Sequence, residues 1–197
     1  MLGSHLSGDA GRKRKAAKQT VVYAIGHSTR TIEDFIEILR AYEINAVMDI
    51  RTIPRSRHNP QFNKDTLPLY LKEAKIRYLH MPKLGGLRHA LPDSINNAWR
   101  NASFRGFADY MQTDEFRSAL NSLIELSKRS KIVMMCAESL PWRCHRSLIA
   151  DALLVRKVKT IDIFSPKVSK IHILTPWAKV RGTRITYPLI ESSLKSP

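Results

Sequence analysis

Both cysteines of the chain fall within residues 136–146, whose sequence is Cys-Ala-Glu-Ser-Leu-Pro-Trp-Arg-Cys-His-Arg. The segment combines thiols, a carboxylate, an imidazole and guanidinium groups, which can activate a nucleophile, transfer a proton or bind an anion. An apolar run at 132–135 precedes it and a helical pattern at 147–157 follows it, which predicts a strand, a loop and a helix. Because ligands of open α/β sheets bind at the carboxyl ends of strands, this loop is the first candidate site.

Two further loops carry polar side chains directly after an apolar run. Gly26-His27-Ser28 follows the run at 21–25, and Asp49-Ile50-Arg51 closes the run at 45–50. If the three strands are parallel, these loops and residues 136–138 meet at one edge of the sheet, and we predict a cleft there.

We predict roles at this cleft from residue type and position. Carboxylates transfer protons, and an imidazole or a thiol assists them, so the candidate catalytic residues are Asp49, Glu138, His27 and Cys136. Guanidinium groups bind phosphate, and backbone N–H groups near a glycine can donate hydrogen bonds to an anion. The candidate phosphate-binding residues are therefore Gly26, Ser28, Arg51, Arg55, Arg143, Cys144, His145 and Arg146.

Structural alternatives remain open for several of these residues. Gly26 is also suited to an ordinary turn, and Asp49 to orienting His27 or a structural arginine such as Arg51. Cys136 is also suited to the core as a small buried residue. A zinc site at Cys136, Cys144 and His145 would lack the paired CxxC spacing of structural zinc, so we predict no metal, and the sequence identifies no cofactor.

A strand-end cysteine beside arginines also permits thiol chemistry. The loop resembles those of protein phosphatases and rhodaneses, in which a cysteine opens an anion-binding loop that an arginine closes. In those phosphatases five residues separate cysteine from arginine, whereas six separate Cys136 from Arg143. The spacing therefore departs from that pattern.

The elements that must position these residues are predicted by hydrophobic periodicity. Thr31 and Thr113 are predicted helix caps. Strands are predicted at 21–25, 45–50, 76–81, 132–135, 160–164 and 170–174, the last at an edge or in a hairpin, and helices at 32–42, 67–75, 107–112, 114–127 and 147–157. This alternation predicts a single three-layer α/β domain over 20–197, with a mainly parallel sheet and helices on both faces, after a disordered basic tail at 1–19.

Charge indicates the class of partner. Lysine and arginine number 33 against 17 acidic residues, a net charge of +16 and a pI near 10.2. Such a basic balance favours a nucleic acid, DNA or RNA, or a nucleotide as partner, and Tyr78 or Phe62 could stack on a base or pack in the core.

No apolar run is long enough for a bilayer, and two cysteines make no disulfide framework, so we expect a cytoplasmic protein without a membrane partner.

Four motifs together resemble the domain of unknown function 488 family. They are Ile25-Gly26-His27-Ser28, Asp49-Ile50-Arg51 with Pro54 and Ser56, Lys83-Leu84-Gly85-Gly86, and Cys136-Ala137-Glu138 followed by Cys144-His145-Arg146. The resemblance covers roughly 21–175. It implies one compact α/β domain with these loops as a shared site, and no substrate.

The leading functional hypothesis is a nucleic-acid- or nucleotide-binding protein that acts as an enzyme on a phosphate-containing substrate. Carboxylate, thiol and imidazole groups accompany the arginines, whereas phosphate binding alone needs only the basic residues. One alternative is a non-catalytic nucleic-acid-binding module. Another is a cysteine-dependent enzyme of rhodanese or phosphatase type that uses Cys136.

Overall fold

A six-stranded sheet with the order β3-β2-β4-β1-β5-β6 forms the centre of the molecule. The computed structural model describes residues 19–189, so nearly all of the predicted tail lies outside the described residues. The strands of this sheet are β1 (Val21–Gly26), β2 (Ala46–Asp49), β3 (Arg77–His80), β4 (Ile132–Cys136), β5 (Lys159–Ile163) and β6 (Ser169–Ile171). The first five are parallel and β6 is an antiparallel edge strand, which confirms the predicted mainly parallel sheet.

Helices cover both faces of the sheet, as predicted. They are α1 (Ile32–Ala41), α2 (Leu67–Glu73), α3 (Ala102–Tyr110), α4 (Asp114–Arg129) and α5 (Arg146–Leu154). Successive strand residues point to opposite faces, so Val47 packs in the core cluster that includes α1 and α2, and Met48 in the one that includes α3, α4 and α5. The fold is therefore a single three-layer α/β domain.

Local sequence signals determine where two of the helices begin. The hydroxyl of Thr31 accepts a hydrogen bond from the amide of Asp34 at 3.1 Å, and Thr113 accepts one from Phe116 at 3.2 Å. Each bond satisfies an amide that has no partner within its own helix. Both predicted caps are confirmed.

Two parts of the fold differ from the prediction. Helix α3 begins at Ala102, five residues before the predicted start, and Asn101 caps it by accepting from the amide of Ser103. A hairpin of β7 (Lys179–Arg181) and β8 (Arg184–Thr186) lies beyond the last predicted strand, where no element was predicted. Three-residue strands are too short to show periodicity.

Within residues 19–189, no helix is long and apolar enough to cross a bilayer.

Candidate functional site

The three predicted loops meet at the carboxyl edge of the sheet because β4 lies between β1 and β2. The amide of His27 donates to the carbonyl of Cys136 at 2.9 Å, and that of Ile50 donates to Met135 at 3.0 Å. These bonds extend the parallel pairing into the loops. The strand order, which the sequence could not supply, therefore brings the candidate residues together.

Gly26 is required by close packing between two of these loops. A Cβ built on Gly26 would lie 1.7 Å from the carbonyl oxygen of Glu138. The amides of His27 and Ser28 donate to Cys136 and Ala137, both at 2.9 Å. The backbone that was predicted to donate to phosphate therefore holds the cysteine loop instead, because β1 continues its pairing with β4 through these amides.

Asp49 and Arg51 form a buried ion pair at the end of β2. The carboxylate of Asp49 accepts from Nε of Arg51 at 2.8 Å and from Nη2 at 2.6 Å. It also accepts from the amide of Arg51 at 3.1 Å and from the hydroxyl of Tyr78 at 2.8 Å. With these four bonds and full burial, Asp49 orients Arg51. This matches the structural alternative and leaves the carboxylate no open position for accepting a substrate proton.

His27 lies against this ion pair as a neutral ring. It stacks on Phe62 with ring centroids 4.2 Å apart. Burial is the main cause that lowers the pKa of His27 to about 4, and the charge of Arg51 lowers it further. Nδ1 is therefore the protonated nitrogen that donates to the carbonyl of Ser28 at 2.8 Å, and Nε2 accepts from Nη1 of Arg51 at 3.1 Å. Because that lone pair is engaged, His27 positions Arg51.

Cys136 and Cys144 are reduced, buried and in contact. Their Sγ atoms lie 2.7 Å apart, and Nη1 of Arg146 lies 2.7 Å from Sγ of Cys136. Burial, the largest influence, opposes ionisation of Cys136. The hydrogen bond from Cys144 and the charge and hydrogen bond of Arg146 outweigh it and lower the pKa of Cys136 to about 7. Burial and the neighbouring Cys136 raise the pKa of Cys144, so Cys136 is the more acidic thiol of the pair.

Arg146 was predicted to bind phosphate, and its guanidinium has different partners. It is 1% exposed, donates to the carbonyls of Glu138 and Ser139, and contacts Cys136. A phosphate would have to displace the cysteine loop to reach this guanidinium, because its nitrogens already contact that loop. The cation serves the thiolate instead.

Cys144 and His145 also differ from the expected phosphate contacts. Cys144 is buried against Cys136, and the ring of His145 packs 5.0 Å from that of Phe107. Burial lowers the pKa of His145 to about 4, so this ring adds no positive charge for an anion. Position 86 is a glycine because it packs against the His145 ring: a Cβ built on Gly86 would lie 2.4 Å from Nδ1 of His145.

Two adjoining cavities of about 420 Å³ each occupy the edge where the loops meet. The first, here called the thiol cavity, is lined by both cysteines, Arg143 and His145; the second, the arginine cavity, by His27, Ser28 and Arg55. Both share Arg51, Ile53, Ala137 and Glu138. A larger groove of about 680 Å³ lies along α4 and contains none of the candidate residues. We therefore place the candidate site by its reactive side chains and not by cavity volume.

Three of the predicted site residues are charged, exposed and in the lining of these cavities, so their side chains are accessible to a charged substrate. They are Glu138, Arg55 and Arg143. Sequence reasoning missed the exposed apolar side chains nearby, Ile53, Leu87 and Trp142, because exposure cannot be read from an isolated apolar residue in a loop. It also missed the contact between the cysteines, although both were placed at the two ends of one loop.

Phe62 and Tyr78, the base-stacking candidates, both pack in the core cluster beneath α1 and α2. Phe62 is fully buried beneath His27, and the hydroxyl of Tyr78 is bonded to Asp49. In the part of the chain that the structure describes, no group of three histidine, cysteine or acidic side chains is arranged to hold a metal ion.

Comparison with known proteins gives one match. A sequence model described as Domain of unknown function DUF488 matches residues 31–153. This range spans more than half of the chain and includes the cysteine loop, α5 up to Leu153 and the Asp49–Arg51 pair. It begins after Ser28 and ends before β5, within the 21–175 expected from the motifs. Searches of curated proteins and of solved structures find no match.

Proposed function

Because the chain belongs to the DUF488 family, whose description assigns no reaction, we propose its function from its own site: an enzyme that acts on nucleic acid or a nucleotide. In this proposal Cys136 is the nucleophile, Glu138 transfers protons, and Arg55 and Arg143 contact phosphate. Arg51, Asp49 and His27 form the positioning cluster beneath the cavities.

The observation that carries the proposal is the sulfur of Cys136 at the wall of an open cavity, in contact with a buried guanidinium and a second thiol. Nη1 of Arg146 lies 2.7 Å from the sulfur of Cys136, and the sulfur of Cys144 lies 2.7 Å from the same atom. A buried cysteine that only fills the core needs no cation and no donor at its sulfur. A thiolate at neutral pH is the form that attacks an electrophile.

Charge around the cavities supports a phosphate-bearing substrate. Arg143 lines the thiol cavity and Arg55 the arginine cavity, so each of the two adjoining cavities has an exposed guanidinium group in its lining. The net charge of +16 adds a long-range attraction for polyanions. Both features favour a substrate with more than one phosphate.

Apolar side chains at the same edge support a substrate that also presents bases. Ile53 and Leu87 line the thiol cavity with exposed fractions of 65% and 68%. Trp142, exposed by 62%, immediately precedes Arg143. An aromatic face beside a guanidinium group is suited to a stacked base and its phosphate. These residues favour nucleic acid or a nucleotide over inorganic phosphate.

The reaction that fits these groups is attack on phosphorus. The thiolate of Cys136 forms an S–P bond while the P–O bond to the leaving group breaks, and the electron pair leaves on that oxygen, which takes a proton through Glu138. Water then cleaves the S–P bond, giving its proton to Glu138 and restoring the thiolate. Arg146 stabilises the thiolate at the start and the end of this cycle.

The test uses labelled single- and double-stranded DNA and RNA and a set of mononucleotides. Binding is measured over a salt series, and turnover as phosphate or shortened product. We expect Cys136→Ala to abolish turnover and retain binding. We expect Arg143→Ala to weaken binding about tenfold and reduce the salt slope by about 1.

The matched control is Arg117→Ala, which removes the same charge from an exposed site on α4 and should leave binding and turnover near wild type. Full turnover by Cys136→Ala, or equal binding by the two arginine variants, would contradict the proposal. Tight, salt-sensitive binding without turnover on any substrate would favour the non-catalytic module instead.

A further inference from the structure

Cys144 contacts the nucleophile, and none of its own bonds forms or breaks in the proposed phosphate reaction. Its sulfur lies 2.7 Å from that of Cys136, and the two cysteines are 4% and 2% exposed. A covalent S–S bond is about 2.05 Å long, so the sulfurs would need to approach by less than 1 Å. The two thiols are therefore already in position to react with each other.

We propose that Cys136 and Cys144 form a redox-active pair that reduces a hydroperoxide and closes to a disulfide. The thiolate of Cys136 attacks the peroxide, so an S–O bond forms, the O–O bond breaks, and the alcohol or water leaves with a proton. The sulfur of Cys144 then attacks that of Cys136, and the S–O bond breaks to release water. Two thiols and one hydroperoxide thus give one disulfide, one alcohol or water, and one further water.

The surroundings of the two sulfurs determine their order of reaction. Arg146 contacts Cys136 at 2.7 Å and is itself buried, so its charge is poorly screened there. Cys144 keeps its proton because burial and the adjacent thiolate raise its pKa. Cys136 is therefore the attacking residue and Cys144 the resolving one.

The cavity favours small oxidants and an intramolecular product. Both cysteines line the thiol cavity, which holds about 420 Å³ and has space for hydrogen peroxide. At 2% and 4% exposure, neither sulfur can easily reach the thiol of a second protein molecule. The pair should therefore close within one chain.

The inference is independent of the proposed function because its readout is the mass of the protein. The reduced full-length chain is treated with one equivalent of hydrogen peroxide, then with iodoacetamide under denaturing conditions. We expect the loss of two hydrogen atoms, no alkylation, and a peptide that links Cys136 to Cys144. A dithiol reductant should restore both free thiols.

Two variants separate the roles of the cysteines. Cys144→Ala should stop at an oxygen adduct on Cys136, which a sulfenic-acid reagent labels. It should also raise the pH midpoint of the reaction above that of wild type, because Cys136 loses a hydrogen-bond donor. Cys136→Ala should react with peroxide at least tenfold more slowly at Cys144.

Two results on the wild-type chain would overturn the inference even if both variants fail to fold. One is complete alkylation of both cysteines after peroxide treatment, and the other is a disulfide found only between two chains. Failure of the phosphate assays with successful disulfide formation would contradict the proposed function alone. Turnover of a phosphate substrate with no disulfide would contradict this inference alone.

Discussion

At the scale of single residues, the site consists of neutral and charged groups whose states are set by burial and by one another. His27 accepts a hydrogen bond from Arg51, and Arg51 in turn donates to Asp49. A protonated His27 would place two cations against each other. The arrangement therefore holds only while the imidazole is neutral.

This arrangement predicts a loss of stability in acid. The pKa of His27 is about 4 in the folded protein, against 6.5 for an unperturbed histidine, so the unfolded chain binds the proton first. The contribution of His27 to the free energy of unfolding is fully present above pH 6.5 and is lost as the pH falls towards 4. The loss is about 3 kcal/mol, since one pKa unit corresponds to about 1.4 kcal/mol.

Urea unfolding at a series of pH values checks this prediction. In His27→Gln the free energy of unfolding should fall less steeply between pH 6.5 and pH 4 than in wild type. The control is His58→Gln at an exposed position, which should keep the wild-type slope. Identical slopes for wild type and His27→Gln would show that the network does not depend on a neutral imidazole.

At the scale of elements, the site depends on how closely the loops after β1 and β4 pack. The carbonyl of Glu138 occupies the space where a side chain of residue 26 would be, and Arg146 donates to the same carbonyl. The hydrogen bonds from His27 and Ser28 hold the first two residues of the loop, Cys136 and Ala137. Movement of this loop would shift Glu138 and Cys136 together.

Gly26→Ala should therefore disrupt the site as well as the fold. The new Cβ would clash with backbone, which cannot rotate away as a side chain would, so we expect a cost of about 3 kcal/mol or more. Chemical denaturation measures this cost, and the rate of alkylation of Cys136 in the folded protein should change with it.

The control for this substitution is Gly182→Ala in the turn between β7 and β8. Among the described residues, nothing lies within 4 Å of a Cβ built there, and the φ of 62° is the main source of strain. We expect a cost of about 1 kcal/mol and unchanged alkylation of Cys136. Equal effects of the two substitutions would contradict a packing role for Gly26.

At the scale of the whole molecule, the buried Tyr187, directly after β8, is one of the residues that join the C-terminal hairpin to the domain core. The hydroxyl of Tyr187 donates to Asp151 on α5 at 2.9 Å, and its amide donates to Asn96 at 2.8 Å. Asp151 also accepts from His172 and from the amide of Thr175. A single buried carboxylate thus links α5 with the segments after β6 and β8.

Tyr187→Phe should remove one of the three bonds to this carboxylate and leave the packing of the ring intact. We expect a loss of about 1–3 kcal/mol in the free energy of unfolding, since a buried charged acceptor loses a donor. Tyr70→Phe, at an exposed position on α2, should cost less than about 0.5 kcal/mol. Equal small costs for both variants would mean that the hairpin is held mainly by apolar contacts.

Much of the fold could be predicted because its signals are local. The apolar runs of β1, β2 and β4 and the helical spacing of α1 and α4 lie within short windows, and Thr31 and Thr113 mark two helix starts directly. The sequence alone also led to the three strand-end loops and to the family. The start of α3 was missed although Asn101 caps it locally. The β7–β8 hairpin was missed because tertiary contacts, such as those of Tyr187, stabilise a segment without a periodic pattern.

What each candidate residue does was decided by the tertiary structure alone. Residue type identifies Arg51, Arg143 and Arg146 equally as cations. Arg146, however, is buried against the sulfur of Cys136, Arg51 is paired with Asp49, and Arg143 is exposed at a cavity. The physical reason is that hydrogen-bond partners and desolvation depend on which loops face each other. The order β2-β4-β1 determines those neighbours, and it results from contacts between residues far apart in the chain.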